Sequence, residues 1–140
     1  MSLRASELEV GDVHRERVVD NLSRTQLVMY SGAGGDFNPL HSDEIYTVQS
    51  AGYPTVFAHG MLTMGLTSKM LTNYVGIARL TKFGVRFTNQ VWPGDTLDAI
   101  ATVQAIREEG GVYLVDLAVS TVNQDGKDVL SGYATARIDP

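Results

Sequence analysis

The sequence predicts an α+β fold in which a curved antiparallel sheet wraps around one central apolar helix. From Ile77 onward, the runs Leu80 to Thr88, Thr96 to Arg107, Val112 to Val122 and Lys127 to Ile138 are rich in Val, Ile, Thr, Tyr and Phe, which suit a pleated surface. Pro93-Gly94-Asp95, Glu109-Gly110-Gly111 and Asp125-Gly126 punctuate these runs, the last as a two-residue hairpin signal, so an antiparallel meander is expected. Upstream, Met61, Leu62, Met64, Leu66, Met70, Leu71, Tyr74 and Val75 spread around most of a helix circumference and predict a helix buried on most sides. A sheet with one apolar face needs a cover, and this helix is large enough to provide it.

Taken in order, Gly11-Asp12 marks a turn, and Val13, Val18 and Val19 among charges predict a short exposed strand or arm. Ser23-Arg24-Thr25-Gln26 fits a capping box and should start a helix through Leu27, Val28 and Tyr30. That helix must stop by Gly32-Ala33-Gly34-Gly35, where backbone entropy is high. Asp36 to His41 is then a loop, which Pro39 stiffens while pushing Asn38 away from helical angles. Ser42 or Asp43 caps a second short helix through Ile45, Val48 and Ala51, ended by Gly52. Tyr53-Pro54 breaks what remains, and Val56-Phe57-Ala58 leads into His59-Gly60 at the start of the apolar helix.

With 140 residues, 44% of them hydrophobic, the chain suits one domain over residues 1–140, and no repeat or linker divides it. A formal charge of −5, from 11 basic and 16 acidic residues, gives no global reason to expect nucleic acid or an anionic membrane as partner. The absence of cysteine excludes disulfides, a thiolate nucleophile and a zinc–thiolate centre. The start lacks a secretory signal pattern and no apolar run approaches the roughly 20 residues that span a bilayer, so a cytoplasmic location is expected.

Candidate chemistry concentrates between Tyr30 and Gly65. Asp36 and His41, on a stiff glycine-flanked loop, can share a water: the carboxylate orients it, and an imidazole of ordinary pKa about 6.5 takes or gives a proton near neutrality. Asn38 can brace the loop. The alternative is that Asp36 and Asn38 are turn formers and His41 merely flanks a helix. Gly60 tips the balance, because a glycine at a helix start presents a backbone N–H, unobstructed by a Cβ, where the helix dipole favours a developing oxyanion. His59 reads as a bracing histidine. Asp36, His41 and His59 also form a two-histidine, one-carboxylate set, but no dense ligand cluster surrounds them, so no metal is expected.

In these residues the chain resembles the MaoC-like (R)-specific enoyl-thioester hydratases and dehydratases. The resemblance rests on Gly35-Asp36-Phe37-Asn38-Pro39-Leu40-His41, on Ala58-His59-Gly60-Met61, and on Val85-Arg86-Phe87 with Val91-Trp92-Pro93-Gly94-Asp95-Thr96-Leu97. It extends over about residues 5 to 138. One departure is Gly34, where the family commonly has Ser.

The resemblance implies a hot-dog domain without a cofactor, in which Asp36 and His41 are the catalytic dyad, Gly60 supplies the oxyanion N–H and Asn38 supports the dyad. It implies addition of water to a trans-2-enoyl thioester, giving the (R)-3-hydroxyacyl product. Arg86 would meet the phosphates of coenzyme A or of a carrier protein's phosphopantetheine. A homodimer is expected, with a heterodimer as a variant. Two other readings stay open: a hot-dog acyl-thioesterase, and a non-catalytic acyl-binding subunit of a heterodimeric dehydratase.

Overall fold

The computed structural model describes residues 3–140. Its elements are β1 (Val13–Val19), α1 (Arg24–Gly34), α2 (Gly60–Val75), β2 (Leu80–Phe87), β3 (Leu97–Glu109), β4 (Val112–Val122) and β5 (Asp128–Ile138). The five strands form one sheet of order β1-β3-β4-β5-β2, antiparallel throughout. α2 packs on one face of it. Met70, Leu71 and Val75 of α2 are fully buried with Ala99, Ala101, Val115, Leu117 and Ala136 of the sheet. A second cluster joins Leu22, Leu27, Val56, Ala58 and Leu62 to Val91, Leu97 and Val129, tying α1 and the segment before α2 to the same body.

The strands fall where the β-rich runs predicted them, but their order corrects the expected meander. Only β3-β4-β5 is one; β2 lies at the far edge beside β5. The residues after β2 do not turn back onto β3, because their backbone groups bond elsewhere. Thr88 N–H donates to Val129 O at 3.0 Å, Ala58 N–H to Val91 O at 2.8 Å and Gly94 N–H to Leu22 O at 2.7 Å. Buried Asp95 closes the Pro93-Gly94 turn by accepting from Trp92 N–H at 2.9 Å, and its other oxygen accepts from Gln124 Nε2 at 2.9 Å. The turn residues identified in the sequence therefore redirect the chain across the sheet instead of closing a hairpin.

α1 begins as its cap predicts: Ser23 Oγ accepts from Gln26 N–H at 3.0 Å. The helix continues through Gly32 to Gly34 and ends at Gly35, whose φ of 71° is left-handed and suits a residue without Cβ. The short helix after Asp43 differs in form. Asp43 Oδ1 caps it by accepting from Tyr46 N–H at 3.0 Å, but Tyr46–Ser50 is a single wide π-turn closed by Ala51 N–H to Tyr46 O. A second correction concerns α2: Met61, Gly65, Lys69 and Asn73 form an exposed stripe, since a single sheet covers only one side of the helix.

The packing predicts that Leu71→Ala, at a position with no exposed surface, destabilises the fold by about 2–5 kcal/mol. Met61→Ala, at a position 56% exposed, should change stability by less than about 0.5 kcal/mol. Urea unfolding midpoints of both variants check the contrast.

Candidate active site

Two segments converge at the start of α2. The first leaves α1 at Gly35, and its side chains fold the loop on themselves: Asp36 Oδ1 accepts from Asn38 N–H at 3.2 Å and Asn38 Oδ1 from Leu40 N–H at 3.1 Å. Pro39–His41 then forms one 3₁₀ turn, with Pro39 at its first position, where a missing N–H costs nothing. Asn38 thus braces the loop by capping this turn. The second segment, Val56 to His59, lies against the first through Phe57 N–H to Leu40 O at 3.2 Å.

His41 and Phe57 make the tightest contact between the two. His41 Nδ1 lies 2.6 Å from the Phe57 carbonyl oxygen, which can only accept, so Nδ1 carries the proton. In the neutral ring Nε2 is then left with a free lone pair. His41 is buried, and the Phe57 ring meets it edge-on at 5.3 Å. The Asp36 carboxyl is exposed, and the ligand atoms of Asp36, His41 and His59 all lie within 4.8 Å of one another. A single water bonded at about 2.8 Å to each of two groups spans that separation.

His59 lies underneath. Its Nε2 is 3.0 Å from the Asp36 carbonyl oxygen and 3.2 Å from Ser31 Oγ, so Nε2–H donates toward the backbone of the residue that carries the exposed carboxyl. The ring stacks on His41 at 3.8 Å with 26° between planes and meets Tyr30 edge-on at 4.8 Å. Its Nδ1 is buried without a hydrogen-bond partner. Burial holds the His59 pKa below the usual imidazole value, with the neighbouring His41 charge acting in the same direction against the bond to Asp36 O. Asp36, His41 and His59 lie close enough to form a three-ligand set, but one nitrogen of each ring already faces a backbone carbonyl, His41 Nδ1 at Phe57 O and His59 Nε2 at Asp36 O.

Gly60 opens α2 directly after His59, and its N–H precedes the first internal bonds of the helix, Leu62 N–H and Thr63 N–H to His59 O. A cavity of about 320 Å³ begins there, lined by Phe57, Ala58, Gly60, Thr63, Phe87 and Val91 among others. A Cβ on Gly60 would come within 3.1 Å of the Phe87 ring, so the glycine lets the ring close over the helix start. The structure thus brings Asp36, Asn38, His41, His59 and Gly60 together. Arg86 stands apart: it is exposed, it does not line this cavity, and strand alternation sets it on the opposite face of β2 from Phe87. Ser31, Phe57 and Thr63 at the site were not legible beforehand. Phe57 acts through its carbonyl, which no side-chain pattern reveals, and Ser31 reads as an ordinary helix residue.

Because burial lowers the His59 pKa, the unfolded chain binds more protons than the folded one as pH falls. The stability this contributes is complete above about pH 6.5 and is lost as pH falls through the lower folded value. A ¹⁵N NMR titration should place the His59 midpoint below about 6.5; a midpoint above it contradicts the burial argument.

Residues 6–124 match the MaoC like domain. The chain is 34% identical over 100 residues to 3-hydroxyacyl-thioester dehydratase Y of Mycobacterium tuberculosis, covering 69% of this chain and 34% of that protein. It is 30% identical over 119 residues to the (R)-specific enoyl-CoA hydratase of Rhodospirillum rubrum, covering 84% of this chain and 80% of that one. The structure of R-hydratase PhaJ1 from Pseudomonas aeruginosa superposes with a TM-score of 0.83 at 27% identity, covering 99% of this chain and 86% of the other. The chain spans under half the length of the first curated relatives it matches. The sheet and its helix are the hot-dog arrangement, no helix among the described residues is long and apolar enough to cross a membrane, and the chain belongs to the MaoC-like dehydratase family.

Proposed function

We propose that this chain adds water reversibly to trans-2-enoyl thioesters of coenzyme A or of a carrier protein, giving (R)-3-hydroxyacyl thioesters. The observation that carries this reading is a carboxylate and an imidazole within one water's span, beside a cavity that starts at a glycine amide of a helix N-terminus. The likeness to proteins named (R)-specific enoyl-CoA hydratase supports it.

The chemistry follows from the electron demand of the substrate. Attack of water on C3 pushes the C2–C3 π electrons toward the thioester, whose oxygen gains negative charge. The Gly60 N–H, at the positive end of α2, stabilises that oxygen, and one such donor is worth about 3 kcal/mol. The Asp36 carboxylate orients the water, and His41 Nε2 is available to it because Nδ1–H is committed to Phe57 O. One hydrogen of the water ends on C2 and its hydroxyl on C3, so the pair returns to its starting protonation. Asn38 and His59 hold the loop. Arg86, exposed on the face of β2 opposite the cavity-lining Phe87, takes no part in this reading.

The unpaired edge of β2, with Phe87 47% exposed, supports a dimer formed along it, and a cytoplasmic single-domain enzyme over residues 1–140 is part of the same proposal. A thioesterase would use the same glycine amide but would cleave the acyl–sulfur bond. Following enoyl absorbance and free thiol in parallel with crotonyl-CoA separates the two; thiol release without loss of the enoyl signal overturns the hydratase reading. Asp36→Asn and His41→Ala should each lower the hydration rate by about 10²–10⁴-fold with the fold intact. Near-full activity in both variants contradicts the dyad.

A further inference from the structure

We propose that Ser31 is a positioning residue for the water-holding carboxylate and acts through His59; the inference rests on the reading of Asp36 above. The loop that carries Asp36 follows Gly32, Gly34 and Gly35, so the end of α1 gives it little stiffness of its own. Among the described residues, the Asp36 side chain bonds only to Asn38 N–H, within the same loop. What ties Asp36 to the rest of the protein is its backbone carbonyl, held by His59 Nε2–H at 3.0 Å. The aim of the carboxylate therefore depends on the orientation of the His59 ring.

That orientation has few anchors. Nδ1 of His59 has no hydrogen-bond partner, and the His41 and Tyr30 rings contact its faces and edge without fixing which nitrogen points where. A half-turn about Cβ–Cγ exchanges Nε2 with Cε1 and would face a C–H to the Asp36 carbonyl. Ser31 Oγ, at 3.2 Å from Nε2 and buried with its residue 5% exposed, is the second acceptor that keeps Nε2–H on the α1 side. The shared donation selects both the ring orientation and the Nε2–H tautomer. A Cβ on Gly34 would stand 3.3 Å from the Tyr30 ring that packs on His59, so a side chain there would press on that ring. The hydroxyl that serves His59 comes from one turn earlier in α1.

The test uses the full chain with Ser31→Ala and Ser31→Thr. Long-range ¹H–¹⁵N correlations of the histidine rings should show one His59 tautomer, Nε2–H, in the native chain and in Ser31→Thr, and mixed or exchanging signals in Ser31→Ala. With a trans-2-enoyl thioester, Ser31→Ala should lower kcat by about three- to ten-fold, the effect expected for one net hydrogen bond, with KM within about two-fold, and Ser31→Thr should recover most of the loss. An unchanged single tautomer in Ser31→Ala overturns the proposal, as does a loss that tracks a fall in Tm with the tautomer intact. If the native chain does not hydrate enoyl thioesters, the functional reading fails separately, and the tautomer signals decide the brace.

Discussion

Burial of α2 is the constraint on which the site depends. Met70, Leu71 and Val75 are fully enclosed against the sheet, so the helix cannot slide or rotate without exposing them. Its first turn is fixed as a result, and with it the two residues that matter there: His59, held beneath the loop, and Gly60, which lines the cavity. The C-terminal half of the helix provides the anchoring and the N-terminal half the chemistry. The exposed stripe through Met61 and Gly65 shows that burial on one side is sufficient.

Around that fixed point, side-chain bonds to backbone carbonyls assemble the site. His41 donates to Phe57 O and His59 to Asp36 O, so each imidazole is oriented by a main-chain acceptor on the opposing segment. The arrangement assigns the protons: His41 keeps Nε2 free for water, and His59 spends its Nε2–H on the loop. Stacking two imidazoles at 3.8 Å would be unfavourable if both were charged, and burial of His59 eases the conflict by lowering its pKa. Asp36 keeps its carboxyl in solvent while its backbone is tied down, which combines access with a fixed position.

Much of this was legible in the sequence, and the limits have physical causes. The strands and α2 were readable because their periodicities and turn residues are local, and Ser23 and Asp43 act as the caps their positions predict. The seat of β2 beside β5 was not, since pairing with a distant strand leaves no local mark and Pro93-Gly94-Asp95 looks like a hairpin turn. The grouping of Asp36, Asn38, His41, His59 and Gly60 was foreseen from their residue types and from the family resemblance. The contacts that orient them were not: the Phe57 and Asp36 carbonyls are chemically anonymous in a sequence, and Ser31 acquires its role only when α1 is set beside His59. Arg86 was placed in the site by resemblance, and strand alternation puts it on the other face of β2.

The central claim is that one water, held between Asp36 and His41, is delivered to a single face of an enoyl thioester whose oxygen rests on Gly60. The most direct measurement is to hydrate crotonyl-CoA with the purified chain and resolve the product on a chiral column. The account predicts (R)-3-hydroxybutyryl-CoA alone; the (S) product or a racemate would contradict it.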